Sequence, residues 1–225
     1  MDELRTDLSV TAQINLYYDL HVPAGASNAP LLIVVHGYGA HKRYMMREAK
    51  LVAPDDFVIA SLQAPHPHYR KTSDGYRVGF GWVSDHRPEE DINLHHRFIV
   101  DVIDSLHSVI DPGRIYLYGF SQACALSFRF AFTHGEALAG VIGVCGGIPG
   151  DLDTNAVYTP FTGDTLYLYG DDDEFYTQEQ FATYDARLRS YLPNYSSRHY
   201  TAKHEITAEM RHDIREWLVD RVRRF

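Results

Sequence analysis

The sequence lacks the features that mark membrane and secreted proteins. No apolar run approaches the roughly 18 residues of a membrane-spanning helix. The N-terminal segment has no basic stretch followed by an apolar one, so no secretory signal is predicted. Only two cysteines occur, Cys124 and Cys145, both among apolar residues. We therefore expect a cytoplasmic protein whose thiols are buried rather than paired in a disulfide or bound to zinc.

Clustered positive charge is also missing. The 225 residues include 21 Lys and Arg against 30 Asp and Glu, which gives a net charge of -9, and the acids are spread along the chain. Nucleic-acid binding depends on grouped Lys and Arg that face phosphates. The composition therefore predicts no nucleic-acid partner.

Histidine is plentiful, but its spacing does not predict a metal site. Of 13 histidines, His66 and His68 form one close pair and His95 and His96 another. No cysteine or acid completes a ligand set at either pair, so we interpret all four as surface residues. We expect neither a metal nor an organic cofactor.

Strand-like and helix-like segments alternate along the chain. Helical stripes are predicted from Pro88 to Ile110, from Gln122 to about Thr133, and from Glu205 to the C-terminus. This alternation predicts one α/β domain over residues 1–225, with a mostly parallel sheet flanked by helices on both faces and no cap domain. Its chemistry is expected in loops beyond the carboxyl ends of the strands. The predicted strands are 14–21, 31–35, 57–61, 114–118, 140–144, 165–169 and 197–201.

The segment Gly119-Phe120-Ser121-Gln122-Ala123 is the most informative motif. It joins a predicted strand to a predicted helix, with small residues two positions on either side of the serine. A serine hydroxyl becomes a useful nucleophile when a sharp turn exposes it to a histidine and to backbone amides. Ser121 is therefore the candidate nucleophile.

Two backbone amides are candidates for holding an oxyanion. The glycine-flanked turn His36-Gly37-Tyr38-Gly39-Ala40 follows a predicted strand and could direct the Tyr38 N–H into the site. The Gln122 N–H follows the nucleophile at the positive end of a helix. We interpret His36 itself as a structural, hydrogen-bonding residue.

An acid and a base are available at two later strand ends. Gly170 is followed by four acids at 171–174, and any one of them could orient a histidine. His204 lies after the last predicted strand and just before the C-terminal helix. The order serine, acid, histidine is that of α/β-hydrolases.

With these motifs in place, the chain resembles the phospholipase/carboxylesterase family of α/β-hydrolases. The resemblance implies Ser121, Asp173 and His204 as the catalytic residues, Tyr38 and Gln122 as oxyanion donors, and Trp82 in the acyl pocket. Phe80 and Ile148, from two loops expected to wall that pocket, are further candidates, although such residues are equally typical of loop core. The chain departs from the family at three places, which are Glu174 in place of proline, Tyr176-Thr177 in place of Val-Pro, and Lys203 in place of glycine.

The expected function is hydrolysis of carboxylic esters with short to medium acyl groups through an acyl-enzyme. One alternative is a thioesterase or lysophospholipase that acts on long acyl chains. Another is a non-catalytic, ligand-binding relative of the family. The expected partner is a small-molecule ester or thioester. Nothing in the sequence indicates one oligomeric state over another.

Overall fold

The computed structural model describes residues 4–223 and contains nine strands and five α-helices. The strands are β1 (Tyr18–His21), β2 (Ala29–Val35), β3 (Val58–Leu62), β4 (His66–Thr72), β5 (Gly75–Gly81), β6 (Ile110–Phe120), β7 (Gly140–Val144), β8 (Asp164–Gly170) and β9 (Tyr195–Tyr200). The helices are α1 (Lys42–Val52), α2 (Pro88–Leu106), α3 (Gln122–Thr133), α4 (Gln178–Tyr191) and α5 (Ala208–Val222).

Seven strands form the central sheet in the order β1-β3-β2-β6-β7-β8-β9. Every neighbouring pair is parallel except β1 with β3. β4 and β5 form a separate antiparallel hairpin. The prediction of a mostly parallel sheet is therefore confirmed.

Helices cover both faces of this sheet, as predicted. Within β2, Leu31, Ile33 and Val35 join one core cluster, while Leu32 and Val34 join the other. The first cluster includes buried residues of α2, α3 and α4, and the second includes those of α1 and α5. Because both faces are buried, the central strands are apolar without alternation.

Several predicted boundaries were wrong. The strand predicted from Ile14 begins only at Tyr18, and Ile14 is exposed. The helix predicted to reach Ile110 ends at Leu106, because Ile110 already pairs with Ala29 in the sheet. The last helix begins at Ala208 rather than Glu205, since the Thr207 side chain accepts the Met210 N–H as an N-cap. The predicted end of that helix at residues 224–225 lies outside the described residues.

The interpretation of His95 and His96 as surface residues was also wrong. Both are buried on α2, where His95 packs edge-on against Trp82 and His96 against Phe130. Their position follows from the apolar stripe of α2, which faces the sheet. In the described part of the chain, no three His, Cys, Asp or Glu side chains converge as a metal site would require. Cys124 and Cys145 are both buried, as predicted.

No helix within residues 4–223 has both the length and the apolar character that crossing a bilayer demands.

His36 fixes the turn that follows β2. Its Nδ1–H donates to the Gly37 carbonyl oxygen at 2.8 Å, which leaves Nε2 as an acceptor. Nε2 accepts the Ala64 N–H at 3.1 Å and the Gln63 side-chain amide at 2.9 Å. These contacts confirm the structural role predicted for His36. Burial lowers its pKa from 6.5 to about 4, so the ring is neutral in the folded protein at neutral pH.

We predict that the protein loses stability on mild acidification. Burial lowers the pKa of both His36 and His96 from 6.5 to about 4. Between these values the unfolded chain binds protons that the folded chain does not, so the free energy of unfolding falls as the pH drops from about 6.5 towards 4. Urea unfolding followed at pH 7.5 and 5.0 should show a lower midpoint at pH 5.0.

Two single variants separate this effect from general acid sensitivity. His96→Gln should weaken the pH dependence, whereas His107→Gln, at an exposed position, should leave it unchanged. Equal midpoints at the two pH values for the unmodified protein would contradict the prediction.

Candidate active site

Ser121 occupies a strained bend between β6 and α3. Its backbone has φ 56° and ψ -120°, a positive-φ conformation outside the left-handed helical region that non-glycine residues rarely adopt. The Ser121 N–H donates to the Val144 carbonyl at 2.9 Å, which holds the bend against β7. A Cβ at Gly119 would lie 2.6 Å from the Ala123 carbonyl oxygen. Glycine at 119 therefore lets the chain reverse direction this tightly, as the motif predicts.

A chain of hydrogen bonds links Ser121, His204 and Asp173. His204 Nε2 lies 2.8 Å from Ser121 Oγ, and His204 Nδ1 lies 2.7 Å from Asp173 Oδ2. Because a carboxylate only accepts, Nδ1 carries the proton and Nε2 is free to accept the serine hydroxyl. This is the tautomer with which an imidazole can act as a general base towards a serine.

Asp173 is the acid that reaches the histidine. Its side chain is 0% exposed, and its second oxygen, Oδ1, accepts the N–H groups of Phe175 at 2.8 Å and Tyr176 at 3.1 Å. Both carboxylate oxygens are thus hydrogen-bonded, as a buried charge requires. Asp171 instead lies 3.0 Å from His199 Nδ1, and Asp172 is exposed.

Glu174 holds the backbone of the same histidine. Its Oε2 accepts the His204 N–H at 2.9 Å, and this hydrogen bond lowers the pKa of the Glu174 carboxyl. Consecutive carboxylates therefore contact His204 at two points, with Asp173 on the ring and Glu174 on the main chain. Glu174 is one of the positions at which the chain departs from the family pattern.

The two candidate oxyanion amides flank the serine. A Cβ at Gly37 would lie 3.0 Å from Ser121 Cβ, so the turn that carries Tyr38 touches the nucleophile. Gln122 is the first residue of α3, whose N-terminus is its positive end. Among residues 4–223, neither the Tyr38 nor the Gln122 N–H has a hydrogen-bond acceptor. Both therefore remain candidates for holding an oxyanion.

An open groove of about 440 Å³ surrounds the serine. Binding clefts for small molecules typically have volumes of this order and apolar walls. Two exposed aromatic side chains, Tyr38 and Phe175, stand on this groove. Its lining is mostly apolar and consists of Gly37, Tyr38, Ala40, Phe120, Ser121, Gln122, Phe175, Tyr176 and His204.

The three residues predicted to line the pocket lie elsewhere. Trp82 is 0% exposed and belongs to the core; its backbone N–H donates to Gln122 Oε1 at 2.9 Å and its indole N–H to the His36 carbonyl at 2.7 Å. Phe80 borders a neighbouring depression, and Ile148 is buried in the core. Trp82 therefore fastens the elbow to the turn after β2 instead of facing the groove.

Sequence reasoning missed the role of Phe175 and Tyr176 in the groove. Both follow the acidic run directly, and aromatic residues next to a candidate acid at a strand end are a usable signal. The side chain of Gln122 was also missed. Its Nε2 donates to the Val83 carbonyl at 3.0 Å, which adds a second link from the elbow to the end of β5.

Comparison with solved structures identifies the fold. Esterase PE8 superposes with a TM-score of 0.73 at 18% identity, over 92% of this chain and 99% of that one. The Bacillus cereus carboxylesterase superposes with a TM-score of 0.70 at 15% identity, over 91% of this chain and 94% of that one. Zea mays acyl-protein thioesterase 2 superposes with a TM-score of 0.69 at 16% identity, over 91% of this chain and 98% of that one. The chain therefore has the α/β-hydrolase fold.

Sequence comparison extends this result to the family. NocK, a predicted esterase of Nocardia uniformis subsp. tsuyamanensis, is 29% identical over 162 residues, which are 69% of this chain. The matched region spans only 44% of NocK, so the chain corresponds to less than half of that relative. The phospholipase/carboxylesterase family profile matches residues 21–220, and the chain belongs to this family of hydrolases.

Proposed function

We propose that the protein is a serine hydrolase that cleaves carboxylic esters through an acyl-enzyme. The observation that carries this proposal is the continuous hydrogen-bond chain from Ser121 Oγ through His204 to Asp173. A serine, a correctly protonated imidazole and a buried carboxylate in this order are what nucleophilic acyl transfer needs. Membership in a hydrolase family supports the same conclusion.

The proposed reaction has two halves. His204 Nε2 takes the hydroxyl proton as Ser121 Oγ attacks the ester carbonyl, and the resulting oxyanion accepts the Tyr38 and Gln122 N–H groups. Collapse of the tetrahedral intermediate breaks the ester C–O bond, and His204 returns the proton to the departing alcohol. A water molecule, deprotonated by His204, then attacks the acyl-serine and releases the carboxylic acid. No cofactor takes part in these steps.

The groove favours short to medium acyl groups. It is open, and Trp82 and Ile148, which were expected to line a pocket, are buried and do not contribute to its walls. A long acyl chain would therefore lie on the surface and would gain little from burial. We propose small esters of this kind as the substrates.

We predict that Ser121→Ala and His204→Ala each lower kcat for p-nitrophenyl acetate by at least about 10³-fold. The reason is that the residues of such a unit act together, so loss of the serine or the histidine alone slows the reaction about as much as loss of all of them. Neither variant should unfold, because both side chains lie at the groove. The measurement is steady-state hydrolysis, with labelling by a fluorophosphonate probe and peptide mapping. Ser190→Ala, at an exposed position, is the matched control. Full activity of Ser121→Ala would refute the mechanism.

A second prediction distinguishes the three aspartates of the acid turn. Asp173→Asn should lower kcat by about 10³- to 10⁴-fold, because an amide cannot hold the required histidine tautomer. Asp171→Asn and Asp172→Asn should keep near-normal turnover, since neither side chain contacts His204. A severe loss in Asp171→Asn with a mild one in Asp173→Asn would show that the acid is assigned wrongly.

A third prediction assigns Glu174 a positioning role. Glu174→Ala removes the acceptor of the His204 N–H and should lower kcat roughly tenfold with little change in KM, because small displacements of a catalytic group slow the reaction. Glu174→Gln keeps an acceptor oxygen and should restore most of the rate. Glu179→Ala, an exposed acid of the first turn of α4, is the control. Equal rates in the Ala and Gln variants would contradict this role.

A further inference from the structure

Two exposed aromatic rings stand at the candidate active site. Tyr38 is 61% exposed and Phe175 is 74% exposed, and both line the groove that contains Ser121. Other exposed aromatic side chains, such as Tyr69, lie away from this groove, whereas these two line it beside the candidate nucleophile, where a bound ligand would contact them. Their placement is informative about the substrate.

The strand order places these rings on opposite sides of the serine. Ser121 follows β6, whereas Tyr38 follows β2, the neighbour of β6 on one side. Phe175 follows β8, which is two strands from β6 on the other side. A group bound at Ser121 therefore lies between Tyr38 and Phe175.

Both rings are already positioned by neighbouring residues. Tyr38 stacks on His68 with ring centroids 4.5 Å apart and planes 13° apart. A Cβ at Gly81 would lie 3.2 Å from the Tyr38 ring, so the absence of a side chain there leaves space for it. The Phe175 ring lies edge-on to the His204 ring at 4.7 Å, and its backbone N–H is held by Asp173. Rings that are ordered before binding lose less entropy when a ligand arrives.

The position of Phe175 identifies which part of a substrate it meets. In the proposed reaction His204 donates its proton to the oxygen of the departing alcohol. A ring packed against His204 therefore lies next to the alcohol group rather than the acyl group. Apart from His204, the groove lining has no ionisable side chain other than the Tyr38 and Tyr176 phenols, which favours an uncharged substrate.

We propose that the groove selects uncharged esters whose alcohol carries an aromatic ring, with that ring packed against Phe175 and facing Tyr38. This inference rests on the proposed esterase function and adds the substrate class. Aromatic pairs contribute beyond their buried area, by about 0.5–1.5 kcal/mol each. One such contact at Phe175 corresponds to a preference of roughly two- to tenfold over a saturated ring of similar size.

Two pairs of matched esters test this substrate class. Benzyl acetate and cyclohexylmethyl acetate differ only in the aromaticity of the alcohol, and methyl phenylacetate and methyl cyclohexylacetate differ only in that of the acyl group. We expect kcat/KM to favour benzyl acetate over cyclohexylmethyl acetate by roughly two- to tenfold, with a ratio near one for the acyl pair. Phe175→Leu should bring the benzyl ratio close to one. Tyr69→Leu, at an exposed tyrosine of the β4–β5 hairpin, should leave that ratio intact.

Several outcomes would overturn the inference. They are a benzyl ratio at or below one, a ratio that survives Phe175→Leu, or a preference confined to the acyl pair. Failure to hydrolyse any of the four esters while p-nitrophenyl acetate is still hydrolysed and a fluorophosphonate probe still labels Ser121 would overturn the substrate class and leave the esterase function standing. Failure of both hydrolysis and labelling would overturn the two together.

Discussion

The site depends on one hydrogen bond between two distant parts of the chain. Ser121 Oγ and His204 Nε2 lie 2.8 Å apart although 83 positions separate them in sequence. Ser121 follows β6 and His204 follows β9, three strands away in the sheet. The parallel register of β6, β7, β8 and β9 brings their carboxyl ends to one edge, and the loops need only cross that edge. A change that shifts this register would therefore separate the two side chains.

Polar contacts then hold the groups around that bond in place. Trp82 and the Gln122 side chain tie the elbow to the end of β5, while His36 ties the turn after β2 to β3 through Gln63 and Ala64. The two candidate oxyanion amides therefore sit on segments that are fixed to each other. In the proposed mechanism, amides held in this way would need no rearrangement when charge develops, and such preorganisation is the largest single contribution to catalysis in many enzymes. The residue expected to line the pocket, Trp82, acts instead as part of this framework.

Features that depend on a short stretch of neighbouring residues could be predicted from the sequence. An apolar strand followed by a serine with small residues two positions on either side makes Ser121 a candidate, and the order of serine, acid and histidine along the chain makes His204 one; the structure brings these two side chains within hydrogen-bonding distance. The acid was ambiguous, because only tertiary contacts distinguish Asp173 from its three acidic neighbours. The β4–β5 hairpin and helices α1 and α4 were not predicted. The hairpin carries few buried side chains, so its pattern of apolar residues is weak. The burial of Trp82 depends on a partner 40 positions away, which no local pattern reveals.

Two of the three departures from the family pattern, Glu174 and Tyr176-Thr177, closely follow the candidate acid, and they are chemically connected. A proline at position 174 would have no side-chain acceptor for the His204 N–H, which Glu174 now binds. The two following residues, Phe175 and Tyr176, both donate their N–H groups to Asp173 and both contribute rings to the groove. One short segment thus contacts His204 at its ring and at its backbone and also contributes two rings to the groove. In the proposed mechanism, Asp173 and Glu174 act on turnover and Phe175 acts on selectivity, so neighbouring residues of one turn carry the two properties.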